Sequence, residues 1–193
     1  MLKPLSRVHG LGLAPFIKKI RVTQRGTEKD PWFTPQAFGP NDLHHFSAFT
    51  NVRTLVIRIA EISEFIPDVE QYFGHLSSNL RSIALADPRC TPRQLSHFLS
   101  LFPNLDDIRV SSPKQPSNQT IPDTELVPFS APKLQGRLEL YVFDWVETWT
   151  DLITLCGGLR FHYMHLHRVE GCAPVLLGAC AETLETLRCS VRK

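Results

Sequence analysis

The sequence predicts an α/β fold: a short, irregular right-handed α/β solenoid with a parallel sheet on the concave side and helices on the convex side. Two observations carry this. The stretch IPDVEQYFGHLSSNLRSIALADPRCTPRQLSHFLSLFPNLDDIRV, from Ile66 to Val110, contains one unit twice: a helix-like run, a short turn, then an apolar triplet of the form L-x-x-L-x-L. The triplet also recurs along the chain. It stands at Ile17/Ile20/Val22, Val52/Leu55/Ile57, Leu80/Ile83/Leu85, Leu105/Ile108/Val110, Phe161/Met164/Leu166 and Leu184/Leu187/Cys189. Leu138/Leu140 is a seventh copy, with Leu134 one residue out of register.

The last two residues of each triplet are two apart, so they point to one side of a strand. A unit this small cannot bury that side alone. Stacked units bury it together, under a layer of returning helices, and the β–α–β crossover is right-handed by default. The final triplet residues, Val22, Ile57, Leu85, Val110, Leu140, Leu166 and Cys189, are separated by 35, 28, 25, 30, 26 and 23 residues. Leucine-rich repeats run at about 20–29 residues. The spacing therefore predicts one leucine-rich-repeat domain over 1–193, of about seven irregular repeats, with insertions at 24–40 and 111–132.

Each helix has a start or stop signal. Thr91-Pro92-Arg93-Gln94 is a capping box with proline at the first helical position, and Leu95, Phe98, Leu99 and Phe102 share one face before Pro103. Asp68 to Ser77 carries Val69, Tyr72, Phe73 and Leu76 at helical offsets. A second box at Asp144–Glu147 opens a helix to Leu155, closed by Gly157-Gly158. Pro174 to Thr183 predicts the last helix, with Val175, Leu176 and Cys180 inward, and Asn41 to Phe49 a shorter one. The 24–40 insertion, with Trp32, Phe33 and Phe38, is too aromatic to float in solvent. In the 111–132 insertion, prolines at 113, 116, 122, 128 and 132 exclude helix and internal strand. There Pro113 to Gln119 reads as mobile, and Leu126, Val127 and Phe129 as an anchored replacement for a helix.

Composition narrows the function classes. With 42% hydrophobic and 21% charged residues, the chain can build a core. A net charge of +2, with basic residues dispersed over the repeats, does not point to nucleic acid. No apolar run approaches the roughly 20 residues needed to cross a bilayer, so no membrane partner is expected. The N-terminus lacks the apolar core of an export signal, which places the chain in the cytoplasm or nucleus. Five cysteines, an odd number without C-x-x-C, read as free buried thiols.

Motifs for phosphate, dinucleotide, zinc-protease or serine-hydrolase chemistry are absent, and no catalytic residue, cofactor or metal ligand is assigned. The one cluster with chemical capacity is FHYMHLHRVEGC. There His165 and His167 share a strand face, His162 faces the other side, and Cys172 lies just beyond. A metal-dependent or thiol hydrolase using this 162–172 cluster is the alternative to a binding domain.

The residues flanking the inward pairs must point out of the concave sheet. They include six basic residues (Lys19, Arg21, Arg58, Arg109, Arg137, Arg188) and two acidic ones (Asp107, Glu139). Ser82, Ala84 and Ala86 make the middle small, and Tyr141, Tyr163, His165 and His167 make the C-terminal half aromatic. Arginine, tyrosine and histidine on a rigid sheet suit a protein partner. The expected binding face is Arg21, Arg58, Arg109, Arg137, Glu139, Tyr141, Tyr163, His165, His167 and Arg188.

The segments VRTLVIRI, LRSIALADPRCTPRQLSHFLSLFPNLDDIRV and ACAETLETLRCSV resemble the irregular leucine-rich-repeat region of F-box-type proteins, above all the fungal ones. The resemblance covers about residues 16–191 and implies a substrate-recognition domain of a ubiquitin-ligase adaptor. In that family an F-box of roughly 40 residues binds a Skp-type adaptor. Met1 to Phe16 is too short to hold one, so that partner is expected only if a missing F-box exists. The chain ends two residues after Val191, without the polar cap a solenoid needs. That predicts either missing sequence, with the extreme case an inactive truncated fragment, or self-association through the C-terminal edge.

Overall fold

Among the residues that the structure describes, seven strands form a single sheet in sequence order, every neighbouring pair parallel. They are β1 (Lys19–Thr23), β2 (Thr54–Arg58), β3 (Ser82–Ala86), β4 (Asp107–Ser111), β5 (Gln135–Tyr141), β6 (Arg160–His167) and β7 (Thr186–Ser190). The structure is a computed structural model and describes residues 12–23, 49–58, 62, 66, 74–114, 132–141, 150, 151, 153, 154, 156, 158–169 and 171–190. Among these, the fold is α/β, an open parallel sheet with few helices.

The register follows the triplets. One row of paired residues is Ile20, Leu55, Ile83, Ile108, Leu138, Met164 and Leu187; a second is Val22, Ile57, Leu85, Val110, Leu140, Leu166 and Cys189. From β2 to β6 every residue of both rows is buried. At the edges Ile20 is half-buried, and Leu187 (43% exposed) and Cys189 are open to solvent. The helices pack on this apolar side. In α1 (Pro92–Ser100) the capping box forms as expected: the Gln94 amide donates to the Thr91 hydroxyl (3.2 Å), and the Thr91 amide to the Gln94 side-chain oxygen (2.9 Å). Leu95, Phe98 and Leu99 then enter the core, with Phe98 edge-on to Phe102 at 5.7 Å. Burying each such side chain contributes about 1.5–3 kcal/mol. In α2 (Ala173–Ala179), Leu176 and the following Cys180 are buried. Among the described residues, no helix is long and apolar enough to cross a membrane.

Two small devices repeat from strand to strand. Asn51, Asn79 and Asn104 each directly precede a triplet, and each side-chain amide donates to a carbonyl one repeat earlier: Pro15 (2.7 Å), Thr50 (2.9 Å) and Ser78 (2.9 Å). At the other end of the strand, Asp87, Ser112 and Arg168 adopt left-handed backbone with φ of 52°, 48° and 54°. Each of their amides donates to the last carbonyl of the next strand, on Ser111 (2.9 Å), Tyr141 (2.8 Å) and Ser190 (3.2 Å).

The out-of-register Leu134 has a local cause. Gly136 sits at φ +88°, where a Cβ would lie 2.2 Å from the Asp106 carbonyl oxygen. The turn it makes lets the Arg137 amide donate to that oxygen at 2.8 Å. The register with β6 shifts at the same point: Gly136 pairs with Phe161 and Arg137 with Tyr163, leaving His162 as the extra residue.

Several expectations are corrected. His162 does not turn to the core side; the bulge leaves it exposed. The last helix stops at Ala179 rather than Thr183, and Val175 is only half-buried. Cys189 is exposed, whereas Cys90, Cys172 and Cys180 are buried thiols. The start of the 111–132 insertion is not loose. Pro113 gives up only its own amide; Lys114 forms a parallel bridge with Arg89, its N–H donating to Pro88 (2.8 Å) and its carbonyl accepting from Cys90 (3.3 Å). Of the helix expected over 68–77, residues 74–77 are described, and Gly74–Leu76 form a 3-10 turn. The helix closed by Gly158 is described at 150, 151, 153, 154 and 156, and the Gly158 amide donates to Ile153 at 3.1 Å. The 24–40 insertion, all of the helix expected over Asn41 to Phe49 except Phe49 itself, and residues 115–131 lie outside the described residues.

Candidate functional site

The residues between the apolar rows form three rows on the opposite face. The first is Lys19, Thr54, Ser82, Asp107, Arg137, Tyr163 and Thr186; the second is Arg21, Val56, Ala84, Arg109, Glu139, His165 and Arg188; the third is Thr23, Arg58, Ala86, Ser111, Tyr141, His167 and Ser190. Eight of the ten expected face residues therefore gather on β4 to β7. Arg21 and Arg58 stand apart on β1 and β2, across the alanines of β3; Arg58 pairs there with Asp87 at 3.3 Å.

The centre of the cluster is Glu139, only 4% exposed although it lies on the face away from the core. It is covered by its own neighbours. Arg137, two residues earlier on the same strand, bonds one carboxylate oxygen through Nε (2.9 Å) and through a terminal nitrogen. The other oxygen takes the Tyr141 hydroxyl (3.2 Å) and faces Arg109 Nε (3.4 Å). Arg109 also bonds both oxygens of Asp107, at 3.3 and 3.0 Å, and the Ser82 hydroxyl donates to Asp107 at 2.8 Å. The network thus crosses β3, β4 and β5. Its electrostatics follow: hydrogen bonding to Asp107 holds the Arg109 guanidinium above its ordinary value, and Glu139 does the same for Arg137. Burial, then the Glu139 charge, pushes the Tyr141 hydroxyl up.

Aromatic contacts continue the cluster toward β7. The Arg137 guanidinium lies over the Tyr163 ring at 4.2 Å, with Arg188 at 6.0 Å from the same ring. Tyr141 meets His165 edge-on at 5.7 Å and His167 at 5.6 Å. His165 Nε2 is 3.2 Å from the Ser190 hydroxyl.

Both oxygens of Glu139 are occupied, by two guanidiniums and a phenol. Cys172 belongs to the core cluster, on the opposite side of the sheet from His165 and His167. Burial pushes the Cys156 and Cys180 thiols up, away from the thiolate a nucleophile needs. Among the described residues no group of three or more His, Cys, Asp or Glu could hold a metal ion. Sequence reasoning placed Asp107 on this face without its role as the second anchor of Arg109, and it missed Ser82 and Ser190 as polar partners. The signal for the first was opposite charge two residues apart, in Asp107-x-Arg109 as in Arg137-x-Glu139-x-Tyr141.

No family model matches the chain, and no match was found among curated proteins or solved structures.

Proposed function

We propose that the chain is a leucine-rich-repeat recognition domain, a right-handed solenoid without enzymatic activity, whose concave sheet face binds a protein partner. It is the kind of domain with which F-box-type ubiquitin-ligase adaptors select substrates. A Skp-type adaptor enters this reading only where an F-box accompanies the repeats. The observation that carries the proposal is the clustering of Arg109, Arg137, Tyr141, Tyr163, His165, His167 and Arg188 on one sheet face away from the core. Backbone pairing holds the strands, and the Glu139 and Asp107 carboxylates hold two of the guanidiniums in place. Pre-positioned arginine and tyrosine lose little freedom on binding, and they dominate the energetics of protein interfaces.

The test is capture of partners from native extract by the immobilised chain, repeated with a Tyr141→Ala/Tyr163→Ala variant and with Arg93→Ala on the exposed side of α1. The expected result is a protein retained by the wild type and by Arg93→Ala and lost with the tyrosines. Capture that ignores the tyrosine pair would overturn the reading.

A further inference from the structure

We propose that the middle row of this face binds an extended acidic segment of a partner protein, lying across the strands with its carboxylates about four residues apart. The inference rests on the protein-binding reading above and specifies the partner's chemistry.

Arg21, Arg109 and Arg188 all lie in the second row, through the pairings Arg21–Val56–Ala84–Arg109–Glu139–His165–Arg188. Arginine thus recurs on the first, fourth and seventh strands. Neighbouring strands are about 4.8 Å apart, so successive arginines are separated by about 14 Å, which an extended chain rising about 3.4 Å per residue spans in about four residues. A helix does not fit. At 1.5 Å per residue it needs about nine residues for that span, and residues nine apart project on opposite sides of a helix.

Charge favours the same occupant. The two acids of the face are covered by their neighbours: Glu139 is 4% exposed, and the Asp107 side chain 19%. Arg109 is 45% exposed in its side chain, and Arg21 and Arg188 are exposed with no acidic partner among the described residues. What faces outward along the row is positive. Between Arg21 and Arg109 the row holds only Val56 and Ala84, small enough for a peptide backbone to approach. Arg109 already shares its charge with Asp107 and Glu139, so a singly charged carboxylate matches it better than a doubly charged phosphate.

The test measures fluorescence anisotropy with labelled Gly/Ser peptides carrying three glutamates. One set has them four residues apart, a second has them consecutive, and a third has phosphoserines at the spaced positions. The spaced glutamate peptide should bind tightest, weaken with rising ionic strength, and lose about tenfold in affinity with Arg21→Glu/Arg188→Glu. These arginines carry no described ion pair, and an unchanged melting midpoint verifies that the variant is folded. No binding by the spaced peptide, equal binding by the consecutive one, tighter binding by the phosphopeptide, or indifference to the arginine change each overturns the proposal. If the arginine variant keeps a native partner that the tyrosine variant loses, the ruler of arginines falls and the protein-binding reading stands. If the tyrosine variant keeps it too, that reading falls with it.

Discussion

Strands β1 to β4 are joined mainly by backbone and asparagine amides, whereas β4 to β7 are joined in addition by side chains on the exposed face. In the first half each strand has five residues, Asn51, Asn79 and Asn104 reach back one repeat, and the outward residues of β3 are Ser82, Ala84 and Ala86. In the second half β5 and β6 lengthen to seven and eight residues, the register shifts at Gly136, and the Glu139 network is centred on the strand that carries the shift. Where the repeat is regular the exposed face carries few bonds between strands, such as Ser82 to Asp107 and Arg58 to Asp87, and can be small. Where an extra residue breaks the pattern, charged and aromatic side chains span the strands, and the same groups form the candidate binding surface.

The largest effect expected from breaking this contrast is at its boundary. Gly136→Ala places a methyl group 2.2 Å from the Asp106 carbonyl oxygen, at a φ of +88° that side chains avoid. The obstacle is backbone, so β4 and β5 must separate or Arg137 must lose its amide bond to Asp106. A loss of about 3 kcal/mol or more is expected in urea unfolding. An ordinary alanine effect, below about 1 kcal/mol, would mean that the shift is not needed to join the halves.

Next comes the network itself. Glu139→Gln removes the charge that two guanidiniums surround. Because Arg109 and Arg137 are 45% and 42% exposed and can turn to water, the expected loss is about 1–2 kcal/mol, not the larger figure for a fully buried pair. Tyr141 supplies a pH signature. Its raised value means the folded state holds the proton more tightly than the unfolded one. Its contribution to stability is fully present below about pH 10 and is lost as pH rises through the folded value. Ultraviolet titration of wild type should show Tyr141 ionising late, identified by loss of that step in Tyr141→Phe. In Glu139→Gln that step moves back part of the way, since burial, the larger cause, remains. No movement would detach Tyr141 from Glu139.

The rows on both faces are legible in the sequence because they depend on a period of two within strands and on a recurring triplet between them; both are properties of residue order. The outward placement of Arg21, Arg109 and Arg188 follows from that order alone. The burial of Glu139 does not, because it arises from two arginines and a tyrosine folding over a carboxylate, and alternation puts that position in solvent. The shift at Gly136 left a trace, the displaced Leu134, without revealing its hand. The left-handed corners at Asp87, Ser112 and Arg168 left none, since no glycine marks them. The asparagine ladder was in plain view, as Asn before Val52, Leu80 and Leu105, and only a search beyond apolar positions finds it.

A smaller effect belongs to that ladder. Asn79→Ala removes one exposed amide-to-carbonyl bond between repeats and should lower stability by about 1 kcal/mol. Asn104→Ala should do the same, and the pair should add if each rung acts alone. Hydrogen exchange is the sharper measurement: amides around Thr50 and Ser78 should open faster, with those of β6 and β7 unchanged. Equal loosening throughout would show that the two halves unfold as one unit.

The smallest effect should be a gain. A side-chain-bearing residue in left-handed backbone is strained by roughly 1–2 kcal/mol, and Ser112 and Arg168 hold that conformation with no compensating side-chain bond among the described residues. Glycine relieves the strain at both corners while adding freedom to the unfolded chain, so Ser112→Gly and Arg168→Gly should each raise stability by no more than about 1 kcal/mol. Asp87→Gly should gain less, because it also gives up the pair with Arg58. Ser112 closes the strand before the shift and Arg168 the strand after it, and each donates its amide to the next strand's last carbonyl. Equal gains would mean that this corner is one device used unchanged on both sides of Gly136. A gain at Ser112 with a loss at Arg168 would mean that the longer strands of the second half depend on their corner in a way the backbone geometry alone does not explain.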